Sequence, residues 1–390
     1  MRMGENSVSF FDHAPLRPLR IVQVVNVRWV NATAWYALFL STLLREAGHE
    51  VRVLGLEGTD SFRQAEAWGL QPEAFALNSS NPFSLAASGR KLARLAREFA
   101  PHIVNCHRGE SFFLWAFLKR YGNFALVRTR GDQRPPRAGY ANRFFHAGVA
   151  DAVIATSSGI AASLRATLHV PENRVHTIFG GVDTRRFFPD RNGRSKMRAA
   201  LGLGENQTAI GLVGRFDAVK GQKKLLEAFA QLAGSNLRLV LAGFDTASCG
   251  GEDLRALARE LGVEKKVLFP GRVDDIRALM NALDIGVVAS IGSETIARVA
   301  LEMMACGVPL ISTRVGVMPD LLEAEALVPP GDAAAMSALL QRCVADKPFM
   351  AGVKKTQASR MQSLRETDFC EQTLAVYREA FARRREGRPS

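Results

Sequence analysis

The sequence predicts an α/β protein made of two doubly wound, Rossmann-like parallel-sheet domains. Three observations predict it. Short apolar, strand-like runs alternate with helical periodicity along the whole chain, as in sheets buried on both faces. The alternation halts at a polar, Arg-rich stretch and then restarts. A length of 390 residues, 47% hydrophobic, exceeds what a single core usually organises.

Taken in order, residues 1–18 read as a flexible lead without the apolar core of a signal peptide. The first domain, 19–185, carries strand-like runs IVQVVNV (21–27), VRVLGL (51–56), HIVNCH (102–107), FALVRT (124–129), AVIAT (152–156) and VHTIF (175–179). Helical patterns such as ATAWYALFLSTLLREAGH lie between them. The linker is expected at 186–207, within DTRRFFPDRNGRSKMRAALGLGENQ. The second domain, 208–360, restarts with AIGLVGR (209–215) and continues through LRLVLAG (237–243), KVLFPG (266–271), DIGVVAS (284–290) and PLIST (309–313). Residues 361–390 supply a last helix and the basic tail RRREGRPS.

Composition narrows the function. Lys and Arg number 51 against 38 acids, a formal charge of +13, and residues 101–150 alone hold eight basic and two acidic side chains. Such an excess favours an anionic partner. Five scattered cysteines without a CxxC pair indicate neither a disulfide framework nor a zinc site, and fit a reducing cytoplasm. The longest conspicuous apolar run, FFLWAFL (112–118), is far short of the roughly 18 residues a spanning helix needs. The GxGxxG dinucleotide fingerprint and the Walker GxxxxGK[ST] loop are both absent, which disfavours hydride transfer and P-loop chemistry. No Asp-x-Asp pair or metal-spaced cluster is present, and no aromatic-interleaved RNA motif or DNA-reading element.

Two stretches of the second half carry the chemistry. In GLVGRFDAVKG (211–221) a strand ends at Gly214, Arg215 follows, and Lys220 precedes a helix. Turns at the carboxyl edge of a parallel sheet bind ligands in such folds, and Arg and Lys suit phosphate oxygens. In SIGSETIARVALEMMACGVPLIST, Glu294 and Glu302 interrupt an otherwise apolar helical pattern. Read as one helix capped by Ser293, the two carboxylates are about 12 Å and roughly 80° apart, so both can face one cleft. A nucleotide-diphospho-sugar fits that span, with sugar hydroxyls at Glu294, ribose at Glu302 and the diphosphate near Arg215, Lys220 and the helix N-terminus. Spacing alone leaves two incidental surface glutamates as the alternative.

The ordered series GRFDAVKG (214–221), VLFPGRVDDIRALMNALDIGVVAS (267–290), Glu294 and Glu302 in E-x7-E spacing, EMMACGVPLIST (302–313) and ALVPPGD (326–332), with GGVDTRRFFP (180–189) before it, resembles the family 4 retaining glycosyltransferases (glycosyl transferases group 1) of the GT-B fold. The resemblance runs from about residue 20 to 380 and implies that the two parallel-sheet domains face each other across a cleft. It implies a nucleotide-diphospho-sugar donor, no metal and no further cofactor. Arg215 and Lys220 would bind the donor diphosphate, Glu302 the ribose and Glu294 the transferred sugar. Arg215, Lys220 and Glu294 would be the catalytic set, with Gly214, Thr295, Ile296, Ala297 and Arg298 lining the donor. The last helix would cross back to the first domain.

Departures from the family concern the sugar and the acceptor. Thr295, Ile296 and Ala297 stand where the family has Gly-Phe-Gly. Its glycine pair in the first βα loop gives way to NVRWVNATAWYA (26–37) with Trp29 and Trp35, and its histidine after the fourth strand to Gly131 and Asp132. Trp29, Trp35, His107, Arg130, Asp132, Arg134 and Arg137 are therefore the candidates for a glycan or lipid-linked acceptor. On the Pro-stiffened loop RTRGDQRPPR (128–137), Arg130, Arg134 and Arg137 are expected to read a phosphorylated or carboxylated group. The expected setting is cytoplasmic lipopolysaccharide or surface-polysaccharide assembly, with peripheral contact at an anionic inner-membrane face and no nucleic acid. Two rival readings are a nucleotide-sugar 2-epimerase of the same fold and a non-catalytic basic module for membrane or nucleic acid.

Overall fold

The computed structural model describes residues 17–386 except 77, 79, 80 and 233. The expected lead falls almost wholly outside the described residues, as does the end of the basic tail. The first sheet comprises β1 (Arg20–Val25), β2 (Glu50–Gly55), β3 (Glu73–Ala74), β4 (Ile103–Cys106), β5 (Ala125–Arg130), β6 (Ala152–Ala155) and β7 (Val175–Thr177). Their order is β3-β2-β1-β4-β5-β6-β7, and every pairing is parallel. The second comprises β8 (Thr208–Val213), β9 (Leu237–Ala242), β10 (Val267–Gly271), β11 (Ile285–Val288), β12 (Leu310–Thr313) and β13 (Leu327–Val328). Its order is β10-β9-β8-β11-β12-β13, again parallel throughout. Both sheets therefore reverse strand order at one point, between β1 and β4 and between β8 and β11. That is where an open α/β sheet leaves a crevice for ligand.

The strands are apolar because helices cover both faces. In β4, β6, β11 and β12 every residue is buried. One face of the first sheet is closed from the far end of the chain. The helix Glu366–Glu386 lays Phe369, Leu374, Tyr377 and Ala380 against Ile21, Tyr36, Phe39 and Ile154. It enters where Glu366 accepts from the Thr184 amide (3.0 Å), and leaves where Arg383 and Arg384 donate to the carbonyls of Asn173 and Lys119.

The Arg-rich stretch expected as a linker is mostly integral to the second domain. Residues Arg191–Ala200 form a helix packed on Ile276–Ala282. Arg198 is buried, donating to the carbonyls of Ala282 (3.0 Å), Gly204 and Gln207 (2.7 Å each), and both Arg194 and Arg198 pair with Asp284. Guanidinium groups expected in a linker instead satisfy carbonyls at the end of the Ile276–Ala282 helix.

Candidate functional site

At the end of β8 the chain turns through Gly214 and Arg215 into a short 3-10 turn, Ala218–Lys220, and the helix Gln222–Ala230. Asp217 organises the turn. Its carboxylate accepts from the Val219 amide and pairs with Arg215 at 3.0 Å. Buried Gln222 ties the turn down by donating to the Arg215 carbonyl (2.8 Å). Gly221, at φ +71°, lies against the end of β11, and a Cβ there would run into the Ala289 carbonyl.

The loop after β11 approaches this turn closely. The Ile291 amide donates to the Val219 carbonyl (2.8 Å), and Lys220 forms an ion pair with Glu294. Ser290 donates to the same carboxylate, while the Glu294 carbonyl accepts from the Val317 amide at 2.7 Å. Gly316 passes so near that a Cβ would strike the Glu294 carbonyl. Glu294 is thus held on three sides and is only 8% exposed.

These contacts overturn the expected continuous helix. Ser293 does not cap one. Residues 293–296 are non-helical, Ala297 takes the left-handed conformation (φ +50°), and the helix runs only Arg298–Ala305. The loop is pulled in three directions: Glu294 toward Lys220, the Thr295 carbonyl toward the Thr156 hydroxyl of the first domain (3.0 Å), and Ile296 into the first-domain core beside Tyr36 and Ile178. The rise and angle inferred for a helix between Glu294 and Glu302 therefore do not hold. The Ile296 side chain, 1% exposed, is occupied by the first domain and does not line the crevice as expected.

Glu302 sits on that short helix, 6% exposed, and burial raises its carboxyl above the usual carboxylate range. Arg298, one turn earlier, opposes the shift from 3.2 Å, as does Arg186 more weakly. The Arg298 guanidinium also lies over the Trp35 ring, 5.7 Å from its centroid, so one side chain touches both domains.

The first-domain candidates separate. Trp35 stacks on Phe39 (4.9 Å) beneath Arg298, while Trp29 is 66% exposed, so they do not form one platform. His107 is 2% exposed, its Nε2 lying 2.7 Å from Gln23 Oε1 in a network that includes Asn105 and Tyr377. Burial, then the charge of Arg128, lowers its pKa to about 3, leaving a neutral structural histidine rather than a lining one. Arg130 donates to the Arg134 carbonyl (2.5 Å), and Arg134 pairs with Asp132 (3.1 Å). These three line a cavity of about 220 Å³ with Ser157, Ser163 and Gly316. Arg137 is exposed and is not part of that wall.

Sequence reasoning missed several participants. Ser290 and Gln222 fix the two turns, and Gln133 bridges the domains once its amide is oriented with the nitrogen toward Gly292, donating to the Gly292 carbonyl (2.7 Å) and accepting from the Gly316 amide (2.8 Å). Arg108 and Arg128 stand beside the acceptor-side candidates. A lone serine or glutamine carries no pattern; the basic bias of residues 101–150 was the available signal for the arginines. Among the described residues no group of three His, Cys, Asp or Glu is arranged to hold a metal ion, and no helix is long and apolar enough to cross a membrane.

Comparison with known proteins is consistent across both halves. Residues 193–360 match the family described as Glycosyl transferases group 1, and residues 33–186 match Glycosyltransferase Family 4. A D-inositol 3-phosphate glycosyltransferase of Mycobacterium sp. (strain KMS) is 34% identical over 174 residues, 44% of this chain and 38% of that protein. Its namesake from Saccharomonospora viridis is 31% identical over 282 residues, 68% of this chain and 63% of its own length. The chain thus spans less than two thirds of these curated relatives. The solved structure of Anabaena HepE in complex with UDP superposes with a TM-score of 0.80 at 21% identity, covering 92% of this chain and 99% of that one.

Proposed function

The chain belongs to the group 1, family 4 glycosyltransferases of the GT-B fold, and from that premise we propose that it moves a sugar from a nucleotide-diphospho-sugar to a glycan or lipid-linked acceptor, with retention of configuration and without a metal. The observation that carries the reading is the convergence of Arg215, Lys220 and Glu294 at the β8–β11 switch point, with Glu302 one helix away.

Negative charge grows on the leaving diphosphate as the glycosidic bond breaks. Lys220 and Arg215 are the cations at the turn that can meet it, and a preorganised cation acts most strongly in a site shielded from water. Glu294, already accepting from Lys220 and Ser290, has a second oxygen for a sugar hydroxyl. Glu302 accepts ribose hydroxyls, and Arg298 favours the ionised form that makes those bonds strong. The setting we assign is bacterial surface-glycan or lipopolysaccharide assembly, with the basic first domain toward the acceptor and an anionic membrane. That assignment rests on the family and on the charge of residues 101–150.

One experiment tests the reading. A thermal-shift panel of UDP-, GDP-, ADP- and CMP-sugars should single out a stabilising donor. Transfer from that donor should then give a product of the donor's own anomeric configuration by NMR, at the same rate with or without EDTA. Inversion, loss of activity to chelator with rescue by Mg²⁺ or Mn²⁺, or the absence of any stabilising donor would each overturn it.

A further inference from the structure

We infer that the carboxyl edge of the first sheet holds a phosphate group of the acceptor at Arg130 and Arg134, which line the cavity there, with Arg108 and buried Arg128 adding positive charge from behind its wall. The inference rests on the reading of the first domain as the acceptor side; it narrows the expected phosphorylated or carboxylated group to a phosphate and brings in Arg108 and Arg128 beside it.

Arg128 is the starting point. It lies in β5 and is only 5% exposed. Its Nη1 donates to the carbonyls of Cys106 (2.9 Å) and Thr129, its Nε has no acceptor, and among the described residues no carboxylate forms an ion pair with it. A buried guanidinium hydrogen-bonded only to neutral carbonyls is a costly charge, and Glu110, itself paired with Arg108, offsets it only through space. Arg130 is two residues on, hence on the same side of the strand. With Arg134 it walls the 220 Å³ cavity into which the first turn of the helix Ser158–Leu168 also opens. Arg108 follows β4, whose Cys106 is in register with Arg128.

The charges in this group do not balance. Glu110 is taken by Arg108 at 2.6 Å and Asp132 by Arg134 at 3.1 Å, leaving two of the four guanidinium groups without a carboxylate. The surplus of two matches a phosphate monoester dianion. The mutual effects agree with the geometry: burial, then the charge of Arg130, pulls Arg128 down to about 10. Arg fork geometry suits phosphate oxygens; the N-terminus of the helix Ser158–Leu168 is not free for the anion, because its Ser158 amide already donates to Asp320 (2.9 Å). Arg137, outside the cavity wall, contributes at most long-range charge.

The test titrates inorganic phosphate calorimetrically at fixed ionic strength into an Arg215→Ala/Lys220→Ala protein, so that the donor side is silent. Saturable binding is expected, weakened at least tenfold by Arg130→Gln with Arg134→Gln and unchanged by Arg137→Gln. Arg128→Met should weaken it similarly; if that variant does not fold, the Arg130/Arg134 pair decides. Competition by glucose 6-phosphate identifies a soluble phosphorylated acceptor, and competition by phosphatidic acid vesicles a lipid headgroup, each supporting the site. Absence of phosphate binding, or binding indifferent to Arg130→Gln with Arg134→Gln, overturns the inference. The donor reading is judged apart from this. Arg130→Gln with Arg134→Gln in an otherwise wild-type chain should keep its nucleotide-sugar stabilisation, and losing it there would implicate the donor site instead.

Discussion

The two walls of the cleft are built on the same sheet topology and carry opposite electrostatic designs. On the second-domain wall the principal charges are matched: Lys220 with Glu294, Arg298 with Glu302, Arg215 with Asp217. On the first-domain wall Arg128 and Arg130 have no ion-pair carboxylate among the described residues, and Arg128 is buried. A matched wall stays ordered when empty and can exchange one partner for a substrate group. An unmatched wall holds charge in reserve for an anion that arrives from outside. The difference teaches that topology places a crevice, while the pairing of its charges decides what the crevice is ready to receive.

The sharpest way to break this comparison is at the matched pair. Lys220→Ala should lower kcat/KM by about 10²–10³, because the cation meets charge that develops only in the transition state. It should also destabilise the fold by about 3 kcal/mol, since Glu294 is left buried without its counter-ion. Lys220→Ala with Glu294→Gln should recover much of the melting temperature and none of the turnover. Recovery of both would mean that the pair is only structural.

Glu302→Gln comes next. A charge-assisted bond to ribose becomes neutral, so nucleotide affinity should fall roughly ten- to a hundredfold, about 1.5–3 kcal/mol, in calorimetry. Unchanged affinity in a folded variant removes Glu302 from the site. Ile296→Ala should cost about 2 kcal/mol or more by emptying its place between the domains. Because it touches no charge, its effect should be equal at 50 and 300 mM salt, unlike that of any charged neighbour.

The walls should also part on acidification. Burial holds the His107 pKa down at about 3 and that of His146 at about 4, with the Arg128 charge adding to both. In the unfolded chain both titrate near 6.5. The unfolded state therefore binds more protons below about pH 6.5, and stability drops as pH falls from there toward 4, by up to roughly 1.4 kcal/mol per pH unit for each histidine. Hydrogen exchange at pH 5.5 should show the first domain loosening before the second. Arg215→Ala is expected to give the smallest mutational loss of stability, since its side chain is about half exposed and its pair with Asp217 is solvent-screened.

Much of the fold was legible because strands buried on both faces announce themselves. The runs 21–27, 51–56, 102–107, 124–129 and 237–243 each coincide with a strand to within one or two residues at either end. β3 and β13 escaped because two residues carry no pattern. The segment 183–207 misled because its arginines satisfy carbonyls inside the second domain, and nothing in a sequence tells a solvated guanidinium from a capping one. Glu294 was found by its incongruity in an apolar stretch, but the helix drawn through it was not there. Apolar Ile296 read as helix periodicity when its partner is Tyr36, some 260 residues earlier. Long-range contacts of that kind decided what local pattern left open.

The helix Glu366–Glu386 has a consequence for the history of each molecule. It covers a face of the first sheet with side chains synthesised more than 300 residues later, Phe369 and Tyr377 packing on Tyr36, Phe39 and Ile21. A chain emerging from the ribosome therefore completes its second domain before its first, although the first is made earlier. Until residue 386 is free, Ile21, Tyr36 and Phe39 have no cover, and the nascent first domain presents apolar surface to whatever is near. Such transiently exposed surface makes a chain aggregation-prone, and contacts this distant in sequence form slowly. Truncation before residue 366 is thus a defect of the first domain, and the helix Glu366–Glu386 is the clasp that closes a sheet made long before it.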